Sequence, residues 1–216
     1  MNPRNYKMHR KENIAMSNDR PHSICVFCGS SDGDHPRYLR LATETGMTLA
    51  NNGYRLIYGG GGLGLMGAAA RAAATAGGDV LGIIHEFLRS IYPLLEEVEH
   101  EVVDNMATRK KLMYEAAEAF SVLPGGIGTL EEAIEVMSWM RLQLHQKPMV
   151  FVDNDGYWAP LTALFHHTIE RGFSPTCMAD DVFTAKTPRQ ALKLIEKEWA
   201  NSKPLCQIVP LSLDQV

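Results

Sequence analysis

The sequence predicts a single α/β domain in which helices cover both faces of a doubly wound, mostly parallel sheet of about seven strands, a Rossmann-like architecture. Three observations lead to this prediction. Short runs rich in Val, Ile, Leu, Phe or Cys alternate with longer stretches of helical periodicity. Two glycine-rich segments directly follow such runs, as strand-to-helix turns do in nucleotide-binding folds. The 216 residues, of which 45% are hydrophobic, suffice for one core and are few for two domains.

The predicted strands are short and apolar, and they cover residues 23–28, 54–58, 79–84, 100–103, 119–123, 148–152 and 181–183. Predicted helices fill most of the gaps, at residues 36–52, 64–76, 106–118, 129–144, 157–171 and 187–199. Pro36, Pro160 and Pro188 lie near helix starts, and Gly53 and Gly172 follow helix ends, as capping preferences predict. Each helix that follows a strand then begins at the carboxyl edge of the sheet, where we expect the ligand.

Composition narrows the function classes. Residues 1–20 are polar, rich in lysine and arginine and without apolar period, so we predict a disordered basic tail followed by one nucleotide-binding domain over residues 21–216. A formal net charge of −4 offers no general attraction for polyanions, and nucleic acid is not an expected partner. The chain shows no apolar run of membrane-spanning length and no secretory signal, which predicts a cytoplasmic protein without membrane contact.

The cysteines and histidines do not indicate a redox or metal centre. Cys25 and Cys28 have the CxxC spacing, but they lie in a predicted strand rather than at the helix start that redox pairs use. We expect buried, reduced thiols there. His166 and His167 are adjacent and cannot both face one metal from a helix, where ligands come three or four residues apart. We therefore predict no metal site.

Residues 123–132, LPGGIGTLEE, combine a strand end, a glycine-rich turn and a helix start. Glycines let the backbone approach a ligand, so that successive N–H groups converge on an anion at the positive end of the helix dipole. We favour a phosphate site, because three glycines exceed what a turn needs. The alternative is a plain turn with Thr129 as N-cap and Glu132 at the third helical position, an ordinary capping box, and by spacing alone Glu132 fits that role better than catalysis.

A second glycine-rich run, GGGGLGLMG, follows the second predicted strand. It satisfies the dinucleotide pattern GxGxxG at Gly59, Gly61 and Gly64, but a run this rich in glycine matches almost by default and the pattern belongs after the first strand. We interpret the loop, with Gly60 and Gly61, as one wall of a nucleotide pocket. In the alternative, Gly64 and Gly67 only let helix and sheet pack tightly.

Three cations, Arg109, Lys110 and Lys111, stand near the start of a predicted helix, although a helix N-terminus favours anions. A solvated basic turn is the ordinary explanation. These cations, however, share the predicted sheet edge with the phosphate loop. We therefore predict that Arg109 and Lys110 meet the anionic ligand.

Together these motifs resemble the LOG family, whose signature PGGxGTxxE stands at residues 124–132 after the Arg109-Lys110 pair. The resemblance covers roughly residues 23–175. The members of this family are cytokinin riboside 5′-monophosphate phosphoribohydrolases, often mislabelled lysine decarboxylases. The resemblance implies cytokinin biosynthesis by hydrolysis of the N-glycosidic bond of an N6-modified adenosine 5′-monophosphate, giving free base and ribose 5-phosphate. The decarboxylase label has no physical support, since the signature places no lysine for pyridoxal phosphate.

The resemblance implies roles for particular residues. Arg109 and Glu132 become the catalytic pair, which overrides the capping interpretation of Glu132. Glu132 would supply negative charge to a cation-like ribosyl group or position the water and ribose hydroxyls, and Arg109 would orient substrate and Glu132. The implied substrate-binding residues, with the pocket-wall glycines included, are Lys110, Gly125, Gly126, Ile127, Gly128, Thr129, Leu130, Glu131, Ser138, Gly60 and Gly61.

We expect no cofactor. We expect a homodimer, because LOG proteins are commonly homodimers. The apolar helix over residues 133–144 could contribute to an interface as easily as to the core. Departures from the family pattern at His85, at Ala107-Thr108 and over residues 87–100 bear on which base is preferred. AMP stays open as an alternative substrate. Two further functions stay open: a carrier that binds a nucleotide or molybdopterin without turnover, and a dinucleotide-dependent oxidoreductase.

Overall fold

The structure, a computed structural model, describes residues 22–180 and 182–201. The predicted disordered tail, residues 1–20, lies outside the described residues, and so does the part of the predicted domain beyond residue 201. No helix within the described ranges is both long and apolar enough to cross a membrane.

Seven parallel strands form one sheet: β1 Ser23–Phe27, β2 Arg55–Tyr58, β3 Val80–His85, β4 Glu99–Val103, β5 Ala119–Val122, β6 Met149–Val152 and β7 Phe183–Ala185. Their order is β4-β3-β2-β1-β5-β6-β7, so the winding direction reverses between β1 and β5. This is the predicted doubly wound fold, and every pairing is parallel. In such sheets ligands bind at the carboxyl edge next to the reversal.

The helices that cover the sheet are α1 Pro36–Asn51, α2 Gly64–Thr75, α3 Glu86–Arg89, α4 Met106–Ala116, α5 Ile127–Arg141, α6 Ala159–Glu170 and α7 Pro188–Ala200. The six predicted helices are all present. The short α3 and a 3-10 turn at Thr176–Asp180 were not predicted, because a single turn is too short to show periodicity. Gly53 and Gly172 follow helix ends with φ of 75° and 78°, the left-handed conformation expected of glycine there.

Two apolar layers lie on opposite faces of the sheet. Alternate residues of β1 enter each of them, with Ile24 and Val26 in one and Cys25 and Phe27 in the other. Burial on both faces explains why the central strands read as continuous apolar runs, whereas the edge strand β4 is mostly exposed and begins with Glu99, His100 and Glu101. Cys25 and Cys28 are buried free thiols, as predicted, and burial raises the pKa of each.

Candidate active site

The side chain of Arg109 joins three elements at the carboxyl edge of the sheet. It is 5% exposed. Its Nε donates to the carbonyl oxygen of Ile83 at the end of β3 (3.0 Å), and its Nη2 donates to the carbonyl oxygen of Gly59 after β2 (3.3 Å). Its Nη1 donates to Oε1 of Glu132 on α5 (2.8 Å). The guanidinium is therefore held in one orientation by acceptors from three parts of the chain.

The sequence around Asn105 explains how a cation stands near this helix start. The Asn105 side chain accepts hydrogen bonds from the N–H groups of Ala107 (2.8 Å) and Thr108 (3.2 Å), which caps α4. The cap satisfies those donors without an acidic residue in the first turn. The Arg109 side chain extends from α4 toward the sheet and donates to its acceptors there. The explanation of these cations as a solvated basic turn is therefore wrong for Arg109.

Glu132 is largely enclosed, with its side chain 14% exposed. Burial raises its pKa, and the neighbouring Arg109 charge opposes that rise without cancelling it. Oε1 is held by Arg109, whereas Oε2 has no hydrogen bond from any residue that the structure describes. Glu132 therefore presents one fixed and one available carboxylate oxygen.

The glycine-rich loop after β5 leads into α5, and the helix begins two residues earlier than predicted. Gly126 is the N-cap and brings no side-chain acceptor. The capping-box alternative is therefore wrong, because Thr129 stands inside the first turn and is buried. Within the described ranges, the N–H groups of Ile127, Gly128 and Thr129 have no acceptor. Unpaired N–H groups at the positive end of a helix favour an anion.

Open space lies beside the two glycines at this helix start, Gly126 and Gly128. A methyl group built on Gly126 or on Gly128 would meet no atom within 4 Å. Ile127 between them is 83% exposed. Packing within the chain therefore does not require glycine at either position, whereas close approach of a ligand to the backbone would.

The opposite side of the same loop is closed. A Cβ on Gly125 would lie 2.1 Å from Oγ1 of Thr129, so this glycine is required by packing. The carbonyl oxygen of Pro124 accepts from the N–H of Gly29 (3.0 Å), and that of Gly125 accepts from the Tyr157 hydroxyl (2.7 Å). The loop is thus fixed on the side that contacts Gly29 and Tyr157 and open beside Gly126 and Gly128.

The glycine-rich loop after β2 is packed against the rest of the chain. A Cβ on Gly59 would lie 2.4 Å from Nη2 of Arg109. A Cβ on Gly64 would lie 2.2 Å from the carbonyl carbon of Ser30, and one on Gly67 would lie 2.1 Å from the carbonyl oxygen of Gly62. Gly64 and Gly67 therefore permit tight packing, although against the segment after β1 and against Gly62 rather than against the sheet, and the pocket-wall interpretation of the loop stays a prediction.

The two glycines assigned to a pocket wall have different surroundings. Gly60 has a φ of 82°, and a Cβ there would lie 2.7 Å from Cβ of Ile84. A Cβ on Gly61 would lie 3.6 Å from Cε of Met66, which is ordinary contact. Their contact with substrate stays a prediction. The carbonyl of Gly59 is the loop's link to the Arg109 side chain.

Lys110 points away from Arg109, although the two are adjacent. Its Nζ pairs with Oε1 of Glu131 (2.5 Å) and Oε2 of Glu135 (3.0 Å), and these carboxylates raise the pKa of Lys110. Lys110 thus ties α4 to α5. Ser138 is exposed one turn beyond Glu135 on the same face of α5. Substrate contact by Lys110, Glu131 and Ser138 stays a prediction, as does that of Leu130, which packs partly against the core.

Sequence reasoning did not single out three contributors to this site. The carbonyl groups of Gly59 and Ile83 hold Arg109, and the Tyr157 hydroxyl holds the glycine-rich loop after β5. Main-chain acceptors leave no mark in a residue pattern. Tyr157 lies in the segment Asp155-Gly156-Tyr157, which is similar to the family pattern and follows a predicted strand at the same sheet edge, but nothing in the sequence assigned a role to its hydroxyl. Among the described residues, no group of three His, Cys, Asp or Glu is placed to hold a metal ion.

Fold and site together define the class: a doubly wound, Rossmann-like α/β protein with its candidate site at the strand-order reversal. A family model described as "Possible lysine decarboxylase" matches residues 66–195. The chain is 38% identical to the cytokinin riboside 5′-monophosphate phosphoribohydrolase of Rhodococcoides fascians, over 84% of this chain and 92% of that protein. It is 36% identical to a protein of the same name from Arabidopsis thaliana, over 85% and 86%. The chain belongs to the LOG family, as its motifs predicted.

Solved structures show the same architecture. The molybdenum cofactor carrier protein of Chlamydomonas reinhardtii has a TM-score of 0.63 at 20% identity, over 84% of this chain and all of that one. The molybdenum cofactor binding protein of Rippkaea orientalis has a TM-score of 0.61 at 22% identity, over 83% and 98%. At such low identity this similarity shows the fold alone.

Proposed function

We propose that this chain hydrolyses the N-glycosidic bond of a cytokinin riboside 5′-monophosphate, an N6-modified adenosine 5′-monophosphate, to the free base and ribose 5-phosphate. The observation that carries the proposal is one helix, α5, which has N–H groups without acceptors at its start and Glu132, paired with Arg109 of α4, in its second turn. Relatives at 36 to 38% identity that bear the phosphoribohydrolase name support it.

The spacing along α5 suits one ribose 5-phosphate. Glu132 follows Ile127 by five residues, roughly 7.5 Å of helix at 1.5 Å per residue. A phosphate bound at the N–H groups of residues 127–129 puts the sugar along the helix toward Glu132. The anchored phosphate then supplies binding energy that orients the anomeric carbon beside the carboxylate.

In the proposed mechanism Glu132 acts as a carboxylate. As the bond to the base breaks, positive charge develops on the ribosyl group, and a carboxylate in a partly enclosed site stabilises that charge more than one in water does. Its available oxygen, Oε2, is placed to orient the attacking water or a ribose hydroxyl. Arg109, held by Ile83 and Gly59, fixes the other oxygen.

The first experiment is product analysis by liquid chromatography with isopentenyladenosine monophosphate and AMP as separate substrates. Wild type is expected to release isopentenyladenine faster than adenine. Glu132→Gln keeps the side-chain shape and an acceptor for Arg109, and its rate is expected to fall at least about 100-fold. A Glu132→Gln rate within about tenfold of wild type would contradict the assigned role.

The same assay separates the rival functions. AMP is a realistic rival substrate, because one apolar N6 substituent changes binding by at most a few kcal/mol. Preferential release of adenine would make the chain an AMP nucleosidase. Recovery of both nucleotides intact, together with their binding, would favour a carrier without turnover.

We also propose a homodimer that acts in the cytoplasm. Met137 of α5 is buried in the core, whereas Ile134 of α5 and Leu142, the C-cap of this helix, are 40% and 54% exposed and available for an interface. Sedimentation equilibrium of wild type and of Leu142→Asp tests the dimer, which the charged variant is expected to weaken. Cell fractionation tests the location.

A further inference from the structure

Tyr157, which follows β6, contacts the glycine-rich loop after β5. Its hydroxyl donates to the carbonyl oxygen of Gly125 at 2.7 Å. A peptide unit is planar and trans, so the carbonyl of Gly125 and the N–H of Gly126 point in opposite directions. With the carbonyl held on the Tyr157 side, the N–H of Gly126 points to the other side. A methyl group built on Gly126 would meet no atom within 4 Å, so the surroundings of this residue are open.

We propose that Tyr157 is a positioning residue for the substrate phosphate and that it acts through the peptide between Gly125 and Gly126. The inference rests on the proposed function, because it deepens the role given to this loop. Tyr157 adds the N–H of Gly126 to the three helical N–H groups that face the anion site. A phosphate with several acceptor oxygens can accept from all of them.

The flanking residues explain why the peptide needs a holding group. Both sides of this peptide unit are glycines, which have the widest conformational freedom of all residues. If the unit rotated, the carbonyl oxygen would face the anion and repel it. Among the described residues, Tyr157 is the donor to this carbonyl.

Tyr157 is itself held in place. Oδ1 of Asp153 accepts from the N–H groups of Gly156 (2.7 Å) and Tyr157 (2.8 Å), which fixes the backbone of the loop after β6. The Tyr157 ring meets Trp158 edge-on, with ring centroids 4.9 Å apart, and Tyr38 at 5.8 Å. The ring contacts do not involve the hydroxyl, so Tyr157→Phe removes one hydrogen bond and keeps the packing.

The test compares ligands with and without phosphate. For Tyr157→Phe, KM for isopentenyladenosine monophosphate and the calorimetric Kd of ribose 5-phosphate are expected to rise about fivefold, the value of one hydrogen bond. The kcat for the nucleotide and turnover of the phosphate-free isopentenyladenosine are expected to stay within about twofold of wild type. Tyr54→Phe is the matched control, because it loses a hydroxyl bonded to Glu196 at the opposite edge of the sheet. The control is expected to leave every ligand parameter unchanged.

Each outcome decides the inference. A rise confined to phosphate-bearing ligands supports it. An equal loss for isopentenyladenosine, a fall in kcat at constant KM, or no change in Kd for ribose 5-phosphate overturns it, as does failure of wild type to bind ribose 5-phosphate. If wild type binds ribose 5-phosphate more tightly than Tyr157→Phe but releases no base, the positioning role stands and only the proposed hydrolysis fails.

Discussion

Two glycine-rich loops reach the candidate site, one after β2 and one after β5, and their glycines differ in what a side chain would meet. In the loop after β2, a Cβ on Gly59, Gly64 or Gly67 would lie 2.1 to 2.4 Å from another atom of the chain. In the loop after β5, Gly126 and Gly128 face open space. Internal packing requires glycine at Gly59, Gly64 and Gly67, and the protein alone gives no reason for it at Gly126 and Gly128.

The difference indicates separate roles for the two loops: the loop after β2 supports the Arg109 side chain, and the loop after β5 is available to a ligand. The packed loop brings the carbonyl of Gly59 against Arg109 and so contributes to the orientation of Glu132. The open loop leaves helix N–H groups without acceptors inside the described part of the chain. A substitution in the first loop should therefore act through the folded structure, and one in the second should act on ligand affinity. Substitutions in the two loops test that distinction, from the largest expected effect to the smallest.

The largest effect is expected for Gly64→Ala in the packed loop. The new Cβ would lie 2.2 Å from the carbonyl carbon of Ser30, at a φ of 60° that disfavours alanine. We expect the free energy of unfolding to fall by about 3 kcal/mol or more in urea titrations. Gly77→Ala is the control, because it has a similar φ of 79° and nothing within 4 Å. It should lose only about 1 to 2 kcal/mol, and equal losses in the two variants would show that the clash does not matter.

Gly59→Ala is expected to act on catalysis. Its Cβ would lie 2.4 Å from Nη2 of Arg109, so the guanidinium must move and Glu132 loses its fixed partner. We expect kcat/KM for isopentenyladenosine monophosphate to fall about 100-fold. The Kd of ribose 5-phosphate, measured by calorimetry, should change little, since the open loop is untouched. A parallel loss of both quantities would mean that the two loops do not act separately.

The acidic limb of the pH profile of kcat/KM tests the environment of Glu132, whose partner Arg109 is held by the loop after β2. Burial raises the pKa of Glu132, and Arg109 lowers it by less. Because the proposed mechanism requires the carboxylate form, activity is expected above this pKa and should be lost as the pH falls through it. We expect kcat/KM to fall about tenfold per pH unit below a limb that lies above the ordinary glutamate pKa of about 4.3.

A thermal melt at each pH must show that the protein stays folded. The residual activity of Glu132→Gln should lack this limb. A limb at the ordinary glutamate value would contradict the enclosed environment of the carboxyl group.

The sequence predicted the sheet, the six longer helices and the sheet edge that carries the candidate site, because these depend on patterns of apolar residues and glycines. It also named Arg109 and Glu132, although spacing alone favoured a capping role for Glu132 and only the family resemblance reversed that preference. It could not separate the two glycine-rich loops, since the reason for each glycine lies in residues distant along the chain, such as Ser30 for Gly64. Nor could it show that Lys110 pairs with Glu131 and Glu135, because adjacent residues on a helix point in different directions.

The smallest effect on stability, and the only one expected to be favourable, belongs to Gly128→Ala in the open loop. Gly128 lies in the first turn of α5, and its Cβ would meet nothing within 4 Å. Since alanine favours helix and restricts the unfolded chain, the free energy of unfolding should rise by up to about 1 kcal/mol in urea titrations. The same methyl group would stand where the phosphate is proposed to bind, so the Kd of ribose 5-phosphate should rise about fivefold or more. A variant that is both more stable and weaker in binding would identify a glycine retained for the ligand. Unchanged affinity would place the phosphate elsewhere, and the open loop would then need another explanation.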